Sequence, residues 1–181
     1  MKNYILLTSI ICLLLGCSIK KSNKIKFECN PSFDFDEVEY VRTNSADSVL
    51  SLIWDKPDES ISKNDQLTLD ILSGEEPGTV ENLKILNSLG QMGFERVMFE
   101  DFKYDNLRTF FCRKEKSLVQ AKFCIPVYRD ILIFKKNEKI VGFAKICFDC
   151  DQAYVGGTGN NFGRYFIDFE LMKKILHNDD L

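Results

Sequence analysis

Ile131-Leu132-Ile133-Phe134 and Ile140-Val141-Gly142-Phe143-Ala144 flank the polar run Lys135-Lys136-Asn137-Glu138-Lys139. Two short β-branched and aromatic runs around a polar connection, with Asn at a turn position, read as a β-hairpin. Ile131–Phe134 is apolar at every position instead of alternating, so that strand is expected to be covered on both faces. A two-residue turn at Asn137-Glu138 sets Phe134 opposite Val141, Leu132 opposite Phe143 and Asp130 opposite Lys145. The last is an opposite-charge pair across the strands, as cross-strand pairing prefers. A longer loop is the alternative, because Glu is a poor second residue for a left-handed turn.

Outward from the hairpin, which is placed near 128–148, β character extends over 118–155, and Gly156-Gly157-Thr158-Gly159-Asn160-Asn161 reads as a flexible loop. Helices are expected on either side. The clearest covers 79–92, with Thr79 as N-cap, Leu83, Leu86 and Leu89 inward, and Gly93 in the left-handed C′ place with Phe94 packing back. A shorter one covers 45–54, with Ser45 as N-cap and Ala46, Val49, Leu50 and Ile53 on one face. Pro57 stops it, and 55–66 looks like loop. The last covers 168–177, with Leu171, Met172, Ile175 and Leu176 inward and Ile167 and Met172 placed for a hydrophobic staple. Helix, helix, antiparallel strands, helix is the order of a single small α+β domain with an antiparallel sheet.

The chain has 181 residues, 45% hydrophobic and 28% charged, with a formal net charge of −3, which excludes collagen-like, disordered and multi-span membrane classes. Five of the 24 basic residues fall within residues 1–26 and no acidic one does. The remainder of the chain therefore sets 19 basic against 27 acidic residues, a net −8. Such a body advertises no nucleic-acid partner. Aromatics from Phe94 to Phe111 interleave with Arg96, Lys103 and Arg108, but Glu95, Glu100, Asp101 and Asp105 cancel that field, and core packing is the better reading.

The N-terminus carries a different message. Met1-Lys2-Asn3 is a short positive start, and Tyr4–Leu15 is an apolar run too short to span ~30 Å of hydrocarbon but suited to a secretory signal. It ends in Leu14-Leu15-Gly16-Cys17, which resembles the lipobox of bacterial lipoproteins. That resemblance implies a signal peptide over 1–16, diacylglyceryl transfer to the Cys17 sulfur, cleavage after Gly16 and further acylation (palmitate) of the new amino group. Two or more chains make stable anchoring. Ser18 follows where an Asp would retain some lipoproteins in the inner membrane, so the resemblance points to the outer membrane of the cell envelope. Residues 17–26, with Lys20, Lys21, Lys24 and Lys26, form a polar tether, and 27–181 form the domain.

Chemistry was sought in every titratable cluster. Asp34 and Asp36 share one strand face but lack a calcium-loop pattern, and read as a solvated acidic face. Asp47-Ser48-Val49 looks like an O-glycosylation acceptor triplet, though it lies at a helix start. Ser60-Ile61-Ser62-Lys63 matches the S-x-x-K string of penicillin-binding enzymes without its partner strings. Gly156-Gly157-Thr158-Gly159 lacks the ending of a P-loop. His177, the sole histidine, sits in a final helical turn where a cation complements the dipole, and is not expected to act as a base.

Cys147-Phe148-Asp149-Cys150 is the motif with chemical content. A C-x-x-C pair can exchange disulfides when the first thiol sits at a helix N-terminus in a βαβ context, and the segment after this one does not look helical. Zinc held by Cys112, Cys124, Cys147 and Cys150 has only one pair at finger-like spacing. A structural disulfide in an oxidising compartment is the third reading. Beyond Cys17, the chain after Gly16 holds Cys29, Cys112, Cys124, Cys147 and Cys150, so intramolecular pairing among these five leaves one free. In a continuing strand Cys147 and Cys150 point to opposite faces about 10 Å apart. Extended, the hairpin register instead sets Cys150 opposite Ile125, one residue from Cys124, a slip that a bulge near Pro126 can absorb. Cys124–Cys150 is therefore the expected bridge, with Cys147 buried and a local Cys147–Cys150 bridge as runner-up. The sequence reading is thus a lipid-anchored envelope domain that binds or scaffolds an unknown protein or small molecule, without cofactor, metal or catalysis. The alternative is a thiol-disulfide or metal-thiolate protein using Cys147 and Cys150.

Overall fold

Asn137 and Glu138 both take left-handed backbone angles, φ 49° and 65°, and close the two-residue hairpin turn between β3 (Asp130–Lys136) and β4 (Lys139–Cys147). The computed structural model describes residues 34–98, 102–112, 124–159, 162–165 and 167–177. Cys17, the tether and Cys29 lie outside them. Around the hairpin the strands β1 (Glu37–Arg42), β2 (Glu95–Val97), β5 (Gln152–Gly157) and β6 (Gly163–Tyr165) complete a six-stranded sheet. Its order is β2-β1-β3-β4-β5-β6, antiparallel throughout. The domain is α+β.

Near the turn, Lys136 faces Lys139 and Lys135 faces Ile140, as expected. A bulge then leaves Val141 without a β3 partner, and the register slips by one residue. Phe134 faces Gly142 rather than Val141, Leu132 faces Ala144 rather than Phe143, and Asp130 faces Ile146 rather than Lys145. Volume accounts for the correction. On the face carrying Leu132 and Phe134, the slip sets each large side chain against a small one. That leaves room for the Phe134 ring between Phe35 and Phe111, at centroid distances of 4.8 and 5.0 Å.

Because side chains alternate, the slip also reassigns the two faces of the sheet. Ile131, Ile133, Phe143, Cys147 and Tyr154 pack under α1 (Ala46–Trp54), α2 (Lys63–Leu72) and a 3-10 segment, Glu81–Met92. Leu132, Phe134, Ala144 and Ile146 pack under α3 (Phe102–Cys112) and α4 (Phe169–His177). The apolar stretch Ile131–Phe134 of β3 is thus covered on both sides, as its lack of alternation requires.

Several local expectations are refined. The 79–92 helix is a 3-10 segment from Glu81, which suits Leu83, Leu86 and Leu89, all buried at a spacing of three. Gly93 is left-handed at φ 82° and Phe94 N–H donates to Leu89 O at 3.1 Å, so the C-terminal motif stands as read. Ser45 holds the N-cap place of α1, yet its hydroxyl does not cap; it meets Thr43 Oγ1 at 3.1 Å. Residues 63–66, read as loop, open α2, where Ser62 and Asp65 form a reciprocal capping box. Gly156-Gly157, read as loop, end β5: a Cβ on Gly156 would lie 2.3 Å from the Phe162 ring.

Candidate functional site

A cleft of about 380 Å³ opens between the 3-10 segment and the end of the sheet nearest the hairpin turn. Its floor is apolar, formed by Val41, Ile133, Leu86, Leu89, Phe94 and half-buried Ile140. Its wall is an ion-pair ladder. Arg96 donates to Glu39 Oε1 through Nε at 2.8 Å and approaches the same oxygen through Nη2 at 2.6 Å, while Lys135 donates to Glu39 Oε2 at 2.8 Å. Burial raises the Glu39 carboxyl, but the hydrogen bonds from Lys135 and Arg96 outweigh it and hold the group below its ordinary value. Arg96 spends its contacts on one carboxylate oxygen and remains 68% exposed where it lines the cleft. The apolar floor residues other than Ile140 are themselves buried, so most of the surface the cleft exposes is polar.

The strands also bury two charges, one on each face. Lys145 is fully buried, and its Nζ donates to the carbonyls of Asp70, Ile71, Gly74 and Glu76 at 3.3, 3.0, 2.8 and 2.6 Å. These carbonyls belong to the end of α2 and the loop after it. A helix leaves its last four carbonyls without intrahelical partners. Here Leu69 O takes Ser73 N–H, Asp70 O takes Glu76 N–H, Leu72 O takes Tyr128 N–H, and Ile71 O takes Lys145. Tyr128 and Tyr154 set their rings 4.7 and 5.3 Å from the ammonium. Burial pushes Lys145 down to about 7, against the pull of the Glu76, Asp70 and Glu75 carboxylates.

On the opposite face Asp130 accepts from Tyr40 OH and lies 3.2 Å from His177 Nε2 and 3.5 Å from Arg42 Nε. Burial, and behind it the Asp130 charge, raises the Tyr40 hydroxyl above its ordinary value, which keeps it a donor. His177 docks the end of α4 on the sheet, with Phe148 edge-on to its ring at 5.0 Å. The expected Asp130–Lys145 pair does not form, because the bulge sends the two to opposite faces.

The sulfurs are gathered on one segment. Cys124 is disulfide-bonded to Cys150, with Cα atoms 6.0 Å apart and a sequence separation of 26. Cys147 is free and buried, and its sulfur accepts from Val127 N–H at 3.4 Å. Cys124 precedes β3 and Cys150 lies in the β4–β5 turn, so the bridge forms outside the hairpin ladder; the Val141 bulge shifts the register away from Cys124, and no bulge of the hairpin accounts for the pairing. The Cys112 side chain lies outside what is described. Among the described residues no group of three or more His, Cys, Asp or Glu side chains is arranged to hold a metal ion.

The remaining motifs resolve into structure. Asp34 and Asp36 lie 3.4 and 4.0 Å from Lys136. Asp47 pairs with Arg129, which also holds Asp149. Ser60 closes a turn onto Pro57 O, and Ser62 caps α2. Arg108 donates to Phe35 O at 2.7 Å. Sequence reasoning missed the cleft and the Lys145 cage; the signal for the latter was a lysine inside Phe143-Ala144-Lys145-Ile146-Cys147, an otherwise apolar strand. Comparisons with protein-family models, with curated proteins and with solved structures find no match for this chain.

Proposed function

We propose that the chain is a lipid-anchored lipoprotein of the bacterial envelope whose α+β domain binds a small amphipathic ligand and does not catalyse. The anchoring rests on Leu14-Leu15-Gly16-Cys17, and the outer membrane is its address on the same resemblance. Binding is carried by one observation: the cleft joins an apolar floor to an exposed guanidinium at Arg96. An apolar body with an anionic head fits that arrangement by charge and by shape. Among the described residues His177 has Asp130 as its hydrogen-bond partner and no nucleophile beside it, which supports a binding role over acyl transfer. A disulfide between Cys124 and Cys150 is consistent with an oxidising compartment.

Two experiments test the two halves. Cys17→Ser is expected to abolish incorporation of labelled fatty acid and leave the precursor unprocessed; undiminished labelling sinks the anchor. For the cleft, Gly90 lines the wall, is not left-handed, and a Cβ there would meet nothing within 4 Å. Gly90→Trp is therefore expected to fill the cleft without strain. Anilinonaphthalene sulfonate, an amphipathic anion, is expected to bind the parent saturably at one site and the variant at none. Equal binding to both rejects the cleft.

A further inference from the structure

We propose that Cys147 is an internal thiol positioned to exchange with the Cys124–Cys150 disulfide, turning a buried free thiol into an exposed one at Cys124. The inference goes beyond ligand binding and does not depend on it. Its geometric basis is that three sulfurs meet one short segment, Cys124–Val127. Cys124 is bonded to Cys150, the Cys150 sulfur lies 3.4 Å from Ile125 O, and Val127 N–H points at the Cys147 sulfur. The chain also reverses at once after β4. Cys147 pairs with Gln152 across a four-residue turn in which Asp151 is left-handed, φ 49°. Residues three apart in a tight turn have Cα atoms within about 7 Å. That is the span a disulfide bridges. Cys147 and Cys150 accordingly join the same buried cluster instead of facing opposite ways.

The exchange conserves atoms and electrons without an outside oxidant. The Cys147 thiolate attacks the Cys150 sulfur, the bond from Cys150 to Cys124 breaks, and a Cys147–Cys150 bond forms. The electron pair leaves on the Cys124 sulfur, which takes up the proton Cys147 lost. The two ends of the step are unlike. At the attacking end, the N–H that Val127 donates holds the Cys147 sulfur in place. At the leaving end, Cys124 is exposed, so its departing thiolate is met by water, whereas Cys147 and Cys150 are 2% and 4% exposed. Exchange releases Cys124 from Cys150, while Gln152 Nε2 still donates to its carbonyl at 3.2 Å. The product presents a reactive surface thiol, able to form a mixed disulfide with a thiol-bearing protein.

The test is a change of position at constant number. Full-length protein is held under inert gas at mildly alkaline pH, sampled over time, trapped with N-ethylmaleimide and mapped by mass spectrometry without reduction. The label is expected to move from Cys147 to Cys124 while the total of free thiols stays the same, and a Cys147–Cys150 linked peptide to appear. Cys147→Ala is expected to leave Cys124 unlabelled. Cys124→Ala, treated with oxidised glutathione, is expected to lose two thiols and yield the Cys147–Cys150 peptide. Label reaching Cys124 as fast in Cys147→Ala as in the parent overturns the proposal. So does the absence of a Cys147–Cys150 peptide from both the parent and Cys124→Ala.

Discussion

Lys145 and Asp130 stand on neighbouring strands of one hairpin, one buried under α1, α2 and the 3-10 segment, the other under α3 and α4. Each is a charge taken out of water, which is costly unless it is fully met by hydrogen bonds. Lys145 is met by backbone, four carbonyls at the end of a helix and in the loop after it, and Asp130 by side chains, hydrogen bonds from Tyr40 and His177 and an ion pair with Arg42. Backbone partners are fixed by the fold and cannot be mutated away. Side-chain partners can be changed one at a time. The first arrangement therefore rises and falls with α2 as a whole, and the second divides into separable pieces.

Removing the side-chain-held charge should have the largest effect. Asp130→Ala removes the carboxylate that accepts from Tyr40 OH and pairs with Arg42, and breaking a buried charge centre of this kind costs about 3–5 kcal/mol. Urea unfolding measures it, and Asp130→Asn, which keeps an acceptor for Tyr40, should recover a large part. If Asn is as damaging as Ala, charge rather than hydrogen bonding holds that centre.

Lys145→Met should cost about 2–3 kcal/mol, because Ile71 O loses its donor in a dry site. Lys145→Arg should not rescue it, since a planar fork does not fit a cage built around a point charge. The pH dependence has a definite sign. Folded Lys145 titrates at about 7, below the ordinary 10.5. Between those values the unfolded chain holds the extra proton, so this group makes stability rise as pH climbs through the window and gives no slope beneath it. Above about 10 the tyrosines oppose the rise, because burial pushes Tyr128 up to about 12 and Tyr40 upward as well. Met at 145 should flatten the rise; an unchanged profile would show that another group titrates there.

Smaller effects bound the comparison on the Lys145 face. Gly156→Ala forces the Phe162 ring aside and should cost about 2 kcal/mol, as overpacking does. Ser62→Ala removes the cap at the other end of the helix whose C-terminus Lys145 holds, and should cost about 1 kcal/mol. Thermal unfolding checks both. If Ser62→Ala instead matches Lys145→Met, the two ends of α2 are not independent.

What was legible in the sequence was whatever repeats along it. The hairpin, its turn residues and the faces of α1 and α4 follow from periodicity and turn chemistry. The Val141 bulge has no such signature, since it comes from fitting Phe134 and Leu132 opposite Gly142 and Ala144, a matter of volume across strands. The start of α2 was legible in principle: Ser62-Lys63-Asn64-Asp65 is a capping box, obscured by the polar run before it. Leu83, Leu86 and Leu89 showed an apolar face but not that the spacing of three would be realised as 3-10 turns. The Lys145 cage was beyond reach because carbonyls look alike in every residue. The cleft was hidden because its walls come from β1, β3, β4 and the 3-10 segment at once.

Both outer strands of the sheet, β2 and β6, are three residues long, and β2 reads Glu95-Arg96-Val97. The margin of a sheet is where backbone donors and acceptors invite another chain to polymerise. A border this brief, carrying charge of both signs on one side, offers too few consecutive rungs to seed a fibril.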